Sequence, residues 1–143
     1  MDILEDNIKH AIISYHNCIF VVDGVGELTV DGYNVIDFKD TLEGSKITIA
    51  VGEPSTRKAL LEKVRQQKLV LTSVISQHAF VSNTAVIDNG VIVAPFVSIQ
   101  AQAHVGENVA INTQAIIGHH VKVLAGSVIS SQVNLGGSCV VDE

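Results

Sequence analysis

Ile75-Ser76-Gln77-His78-Ala79-Phe80-Val81-Ser82-Asn83-Thr84-Ala85-Val86-Ile87 opens a run in which Leu, Ile or Val returns at every sixth residue: Ile75, Val81, Ile87, Val93, Ile99, Val105, Ile111, Ile117, Val123, Ile129, Leu135 and Val141. Four residues after each of the first eleven anchors stands a small or short side chain, from Ala79, Ala85 and Val91 through to Val133 and Cys139. The residue just after the anchor is usually small or polar, as at Ser76, Ala94, Gly106, Asn112, Gly118 and Gly136. An α-helix repeats near 3.6 residues and a half-buried strand repeats at 2, so neither holds a period of six. A hexapeptide parallel β-helix does. Each hexad is a short strand plus a bend, and three hexads close one triangular coil. The anchor and the small residue four later point inward, onto their counterparts one coil away. The run supplies about four coils.

The residue before each anchor points outward, and these residues sort into three stacks. One stack, Val74, Ile92, Ala110 and Val128, is apolar throughout; the second is Phe80, Ser98, Ile116 and Asn134; the third is Val86, His104, Lys122 and Val140. An apolar stripe on the outside of a water-exposed prism marks an interface. Closed symmetry for a triangular prism favours a three-fold ring. The expectation is a homotrimer through Val74, Ile92, Ala110 and Val128.

Charge is uneven along the chain. Residues 71–143 carry only Asp88, Glu107, Lys122, Asp142 and Glu143, whereas the first seventy residues carry nineteen charged side chains. The formal net charge of −6 argues against a nucleic-acid partner. Apolar runs are interrupted well short of a membrane span, and the acidic start, Met1-Asp2-Ile3-Leu4-Glu5-Asp6, has no basic region of a signal peptide. Two distant cysteines, Cys18 and Cys139, do not form a disulfide framework. These features point to the cytoplasm.

Residues 1–73 read as a small α/β domain preceding the β-helix domain of residues 74–143. A helix is expected over 2–13, and Cys18-Ile19-Phe20-Val21-Val22 is a continuous apolar run expected as a strand covered on both sides. Ile47-Thr48-Ile49-Ala50-Val51 reads as a second strand, and Pro54 to about Gln67 as a helix with Leu60, Leu61 and Val64 on one face. Leu69-Val70-Leu71 completes a βαβ crossover. The helix charges Arg57, Lys58, Lys63 and Arg65 read as a solvated face.

The stretch Ile111-Asn112-Thr113-Gln114-Ala115-Ile116-Ile117-Gly118-His119-His120-Val121, within Val86 to Val121, resembles the NeuD-type sugar acetyltransferases, bacterial enzymes that acetylate sialic acid or amino-sugar nucleotides. Phe20-Val21-Val22-Asp23, Asp31-Gly32-Tyr33-Asn34-Val35 and Ile49-Ala50-Val51-Gly52, with Arg57 behind it, are similar to that family's sheet, loop and helix. The resemblance implies a Rossmann-like N-terminal remnant joined to a left-handed β-helix, a trimer, acetyl-CoA as the donor and His119 as general base. It also implies Asn112 and His120 as supporting residues, and Asp23 and Gly52 on the nucleotide side. Against the family pattern the chain reads as shortened at both ends. It lacks the Gly-rich first loop and later coils, and has Gly118 and His120 where the family sets acids beside the histidine.

Imidazole suits the assigned role because it exchanges protons near neutral pH. A zinc centre is not expected: His104 and His119 are fifteen residues apart, not the eighteen that stack successive coils. His10, His16 and His78 read as surface residues, and Gly24 and Gly26 as a turn. Two functions follow. One is an acyl-CoA-dependent acetyltransferase acting on a sugar or nucleotide-sugar amine or hydroxyl. The alternative is a non-catalytic trimeric β-helix that serves as a scaffold or binds a ligand.

Overall fold

A computed structural model describes residues 19–22, 28–30 and 32–142. The helix expected over 2–13, along with Cys18, Asp23, Gly24 and Gly26, lies outside the described residues.

Twelve two-residue strands, β6 (Val74–Ile75) to β17 (Val140–Val141), follow one another every six residues. They are β7 (Phe80–Val81), β8 (Val86–Ile87), β9 (Ile92–Val93), β10 (Ser98–Ile99), β11 (His104–Val105), β12 (Ala110–Ile111), β13 (Ile116–Ile117), β14 (Lys122–Val123), β15 (Val128–Ile129) and β16 (Asn134–Leu135) between those two. Every third strand pairs in parallel, giving three four-stranded faces: β6-β9-β12-β15, β7-β10-β13-β16 and β8-β11-β14-β17. Partners are eighteen residues apart, as in Ser98↔Ile116 and His104↔Lys122. This is a parallel β-helix of four coils.

The hexad chemistry is visible in the packing. Val93, Ile99, Val105, Ile111, Ile117 and Val123, with Val91, Val97, Ala103, Val109, Ala115 and Val121 four residues after anchors, are at most 1% exposed. Ser127, the one polar residue in the inward small series, is satisfied by donating its hydroxyl to the Leu124 carbonyl at 2.8 Å. At Gly118 and Gly106 the absence of a side chain after the anchor has a steric cause. A β-carbon at Gly118 would stand 2.6 Å from the Leu135 carbonyl oxygen, and one at Gly106 2.9 Å from the Ala125 nitrogen. Both contacts are with backbone of the next coil, which cannot step aside.

The bends also repeat at six. Gly90, Phe96, Gln102, Asn108, Gln114, His120, Gly126, Gln132 and Ser138 all have φ between +57° and +79°. From Phe96 onward each such turn lets an amide reach the previous coil, as in Asn108 N to Asn89 O, His120 N to Ala101 O and Ser138 N to His119 O. Left-handed backbone costs a non-glycine residue about 1–2 kcal/mol, and the inter-coil hydrogen bonds and inward packing hold it in place.

Among the described residues, the N-terminal portion forms two small sheets. In the first, β1 (Phe20–Val22) runs parallel to β3 (Tyr33–Asp37), which pairs antiparallel with β2 (Leu28–Val30). Val22 is exposed, so β1 is not the doubly covered strand its composition suggested. In the second, β4 (Lys46–Ile47) pairs parallel with β5 (Val70–Leu71) across helix α1 (Pro54–Gln66). That is a βαβ crossover, with Ile49, Leu61, Val64 and Leu69 as its core. The strand expected through Val51 stops at Ile47 because the carbonyls of Ile49 and Val51 turn to the guanidinium of Arg57 instead of to a neighbouring strand.

Arg57 corrects a second expectation. It is fully buried rather than solvated, on the same face of α1 as Leu61 and Val64. Its guanidinium donates to Ile49 O, Val51 O, Asn108 O and Asn108 Oδ1, the last two from one nitrogen at 2.7 Å each. Burial lowers its pKa, but neutral oxygens saturate the fork and the group stays a cation. The contact ties α1 to the bend between β11 and β12. Nearby, Arg65 on α1 bridges Glu62 and Glu107.

Candidate active site

Bends joining the second face to the third carry Ser82–Ala85, Gln100–Ala103, Gly118–Val121 and Gly136–Cys139. In the third of these, His119 and His120 are both exposed. Their rings stand nearly perpendicular, with centroids 5.2 Å apart and Nδ1 to Nδ1 at 3.0 Å. The main chain around them is clamped from both sides: His120 N donates to Ala101 O at 3.0 Å, and His119 O accepts from Ser138 N at 2.8 Å. The His119 ring lies against Gly137, eighteen residues on, where a β-carbon would fall 2.4 Å from Cε1 and Nε2. The second glycine of Gly136-Gly137 therefore makes the floor beneath the imidazole.

Asn112 is exposed in the bend at the other end of β13, so it and His119 occupy different edges of the prism. Gly52 is exposed just before α1, with nothing within 4 Å of a built β-carbon. The first turn of α1 next to it is already taken by an anion. The carboxylate of Glu53 accepts from Thr56 N at 2.6 Å and from the Ser55 and Thr56 hydroxyls, and these bonds pull its pKa to about 2. A phosphate would meet that charge rather than free amides. Asp23 lies outside the described residues.

Three features were not anticipated from sequence. His104 Nε2 is 3.1 Å from Asp88 Oδ2, a carboxylate–imidazole pair on the third face, open to solvent. Its spacing of sixteen residues brings a bend residue of one coil beside an outward strand residue of the next. His78 stacks on exposed Phe96 at 5.8 Å in the bends between the first and second faces, beside exposed Phe80. Gly137 beneath His119 is the third, and its signal was the eighteen-residue offset. Among the described residues no group of three or more His, Cys, Asp or Glu side chains converges to hold a metal ion. Among them, too, no helix is long and apolar enough to cross a membrane.

The same architecture occurs in solved structures. A variant of perosamine N-acetyltransferase from Caulobacter crescentus, in complex with CoA and GDP-perosamine, superposes with a TM-score of 0.79 at 23% identity, covering 98% of this chain and 70% of that one. WeeI from Acinetobacter baumannii AYE superposes at 0.83 and 17% identity, covering 94% of this chain and 65% of that one. The coiled portion is a left-handed β-helix. The acetyltransferase domain of PglB from Neisseria gonorrhoeae FA1090, in complex with acetyl coenzyme A, gives 0.51 at 21% identity over 98% of this chain and 86% of that one. At these identities the shared property is the fold. No protein-family model matches the chain.

Proposed function

We propose that the protein is an acyl-CoA-dependent acetyltransferase acting on a sugar or nucleotide-sugar amine or hydroxyl, with His119 as general base. The observation that carries the reading is the exposed His119 ring, seated against Gly137 and paired with His120 on a bend of the β-helix. The fold likeness to perosamine N-acetyltransferase with CoA and GDP-perosamine bound supports the substrate class. In the reaction, His119 Nε2 takes the proton of the acceptor amine or hydroxyl as that group attacks the thioester carbonyl. A C–N or C–O bond forms, the C–S bond breaks, and His119 returns the proton to the departing thiolate as CoA-SH.

Asn112, at another edge of the prism, is assigned to bound substrate rather than to the imidazole. Asp23 and Gly52 are assigned to the nucleotide; the open space at Gly52 suits a sugar or base, since Glu53 excludes phosphate from the helix N-terminus. The working unit is a homotrimer through the Val74, Ile92, Ala110 and Val128 stripe, extended by Phe80 and Phe96 at its margin. The βαβ unit is read as a Rossmann-like remnant. The cytoplasm, where acetyl-CoA is made available, is the proposed site of action.

Calorimetric titration with acetyl-CoA tests the reading, because the donor is common to every acceptor. Saturable binding near one molecule per chain, followed by CoA release with an amino-sugar nucleotide, is the expected result. An absence of donor binding at millimolar concentration rejects it in favour of the non-catalytic trimeric scaffold.

A further inference from the structure

We propose that His120 is the positioning residue for His119. Its Nδ1 accepts a hydrogen bond from the Nδ1–H of His119, which leaves the Nε2 lone pair of His119 free for the acceptor proton. The proposal rests on His119 being the base. It assigns to a neutral imidazole the orienting task that a carboxylate performs in many histidine-based sites.

The geometry restricts the choices. Two ring nitrogens 3.0 Å apart need one proton between them, so one ring donates and the other accepts. The main chain that carries both rings is held in place. The backbone of His120 is held in the left-handed region at φ +59° by its bond to Ala101, and that of His119 by its bond from Ser138. If His120 donated, Nδ1 of His119 would be the acceptor and its Nε2 would carry the hydrogen, unable to take a proton. That arrangement would also break each time His119 became an imidazolium, because both its nitrogens are then donors. With His119 donating, the bond survives both protonation states.

Two variants separate this role from a structural one. His120→Gly removes the acceptor while suiting the left-handed backbone, and His120→Asn restores an acceptor oxygen on a residue that tolerates that backbone. Long-range ¹H–¹⁵N spectra of histidine-labelled protein report the tautomer of each ring directly. Wild type and His120→Asn are expected to show His119 as the Nδ1–H form, and His120→Gly a mixture of both forms. Turnover should fall about 10–100-fold in His120→Gly with KM unchanged, and recover most of that loss in His120→Asn. An Nε2–H tautomer for wild-type His119, or a tautomer unmoved by His120→Gly, overturns the assignment. The spectra need no turnover: an inactive protein that still shows the Nδ1–H form keeps the pairing and rejects the acetyltransferase reading instead.

Discussion

The imidazole of His119 rests against Gly137 of the following coil, where a β-carbon would stand 2.4 Å from its Cε1 and Nε2. The obstructed atoms are the far end of a side chain, so Gly137→Ala should turn the ring rather than break the coil. Thermal unfolding is expected to change by no more than about 0.5 kcal/mol, while turnover falls at least about tenfold. Gly118→Ala is the contrasting case. Its β-carbon would meet the Leu135 carbonyl at 2.6 Å, backbone that cannot rotate away, and should cost about 1–3 kcal/mol. Equal destabilisation by the two substitutions would contradict this account.

Arg57 is expected to be among the most sensitive positions in the chain. Arg57→Ala would leave the carbonyls of Ile49, Val51 and Asn108, and Asn108 Oδ1, without their donor in a buried site. Unsatisfied buried acceptors cost about 1–3 kcal/mol each, so a loss of about 3 kcal/mol or more is expected in chemical denaturation. Arg57→Lys, with a single ammonium in place of the fork, should recover only part of it. Near-native stability in Arg57→Ala would mean that water replaces the guanidinium.

The pH dependence follows from Glu53. Its carboxyl titrates at about 2 in the fold against an ordinary 4.5, because Ser55 and Thr56 hydrogen bond to the charged form. A depressed acid contributes stability that is fully present above 4.5 and fades as pH falls through about 2. Glu53→Gln should therefore melt below wild type at pH 7, with the gap closing between pH 4.5 and 2. A gap independent of pH would assign Glu53 a packing role alone.

Ile92→Glu tests the proposed assembly by placing a charge mid-stripe, between Val74 and Ala110 in register. Light scattering is expected to give three chains for wild type and one for the variant. A wild-type monomer would remove the trimer from the reading.

The β-helix was legible because every anchor of the run is a branched residue, and each of the first eleven is followed four positions later by a small or short inward one. A period sustained from Ile75 to Val141 leaves little for tertiary context to override. The N-terminal portion was less so. Hydrophobicity marked Ile47 to Val51 as strand, but a side chain ten residues from Ile47 took the carbonyls that a strand would have shared. Arg57 itself was misread through its charge, although its i, i+4, i+7 spacing with Leu61 and Val64 placed it on the buried face. At the candidate site, His119 and His120 were apparent from their bend position. Their mutual hydrogen bond depends on ring orientation, which spacing does not encode, whereas the eighteen-residue offset does point to Gly137 beneath His119. The Asp88–His104 pair is offset by sixteen residues, so the eighteen-residue stacking of successive coils does not indicate it.

The joint at Asn108 bears on how such proteins can be recombined. One guanidinium draws its acceptors from two separate stretches, Ile49 and Val51 on one side and Asn108 on the other. A chimera that moves this βαβ unit onto another coil stack therefore carries a key without its lock unless a left-handed asparagine waits at the matching bend. Arg57 and Asn108, fifty-one residues apart in sequence, behave as one inheritable part, and a workable crossover point lies outside the segment they enclose.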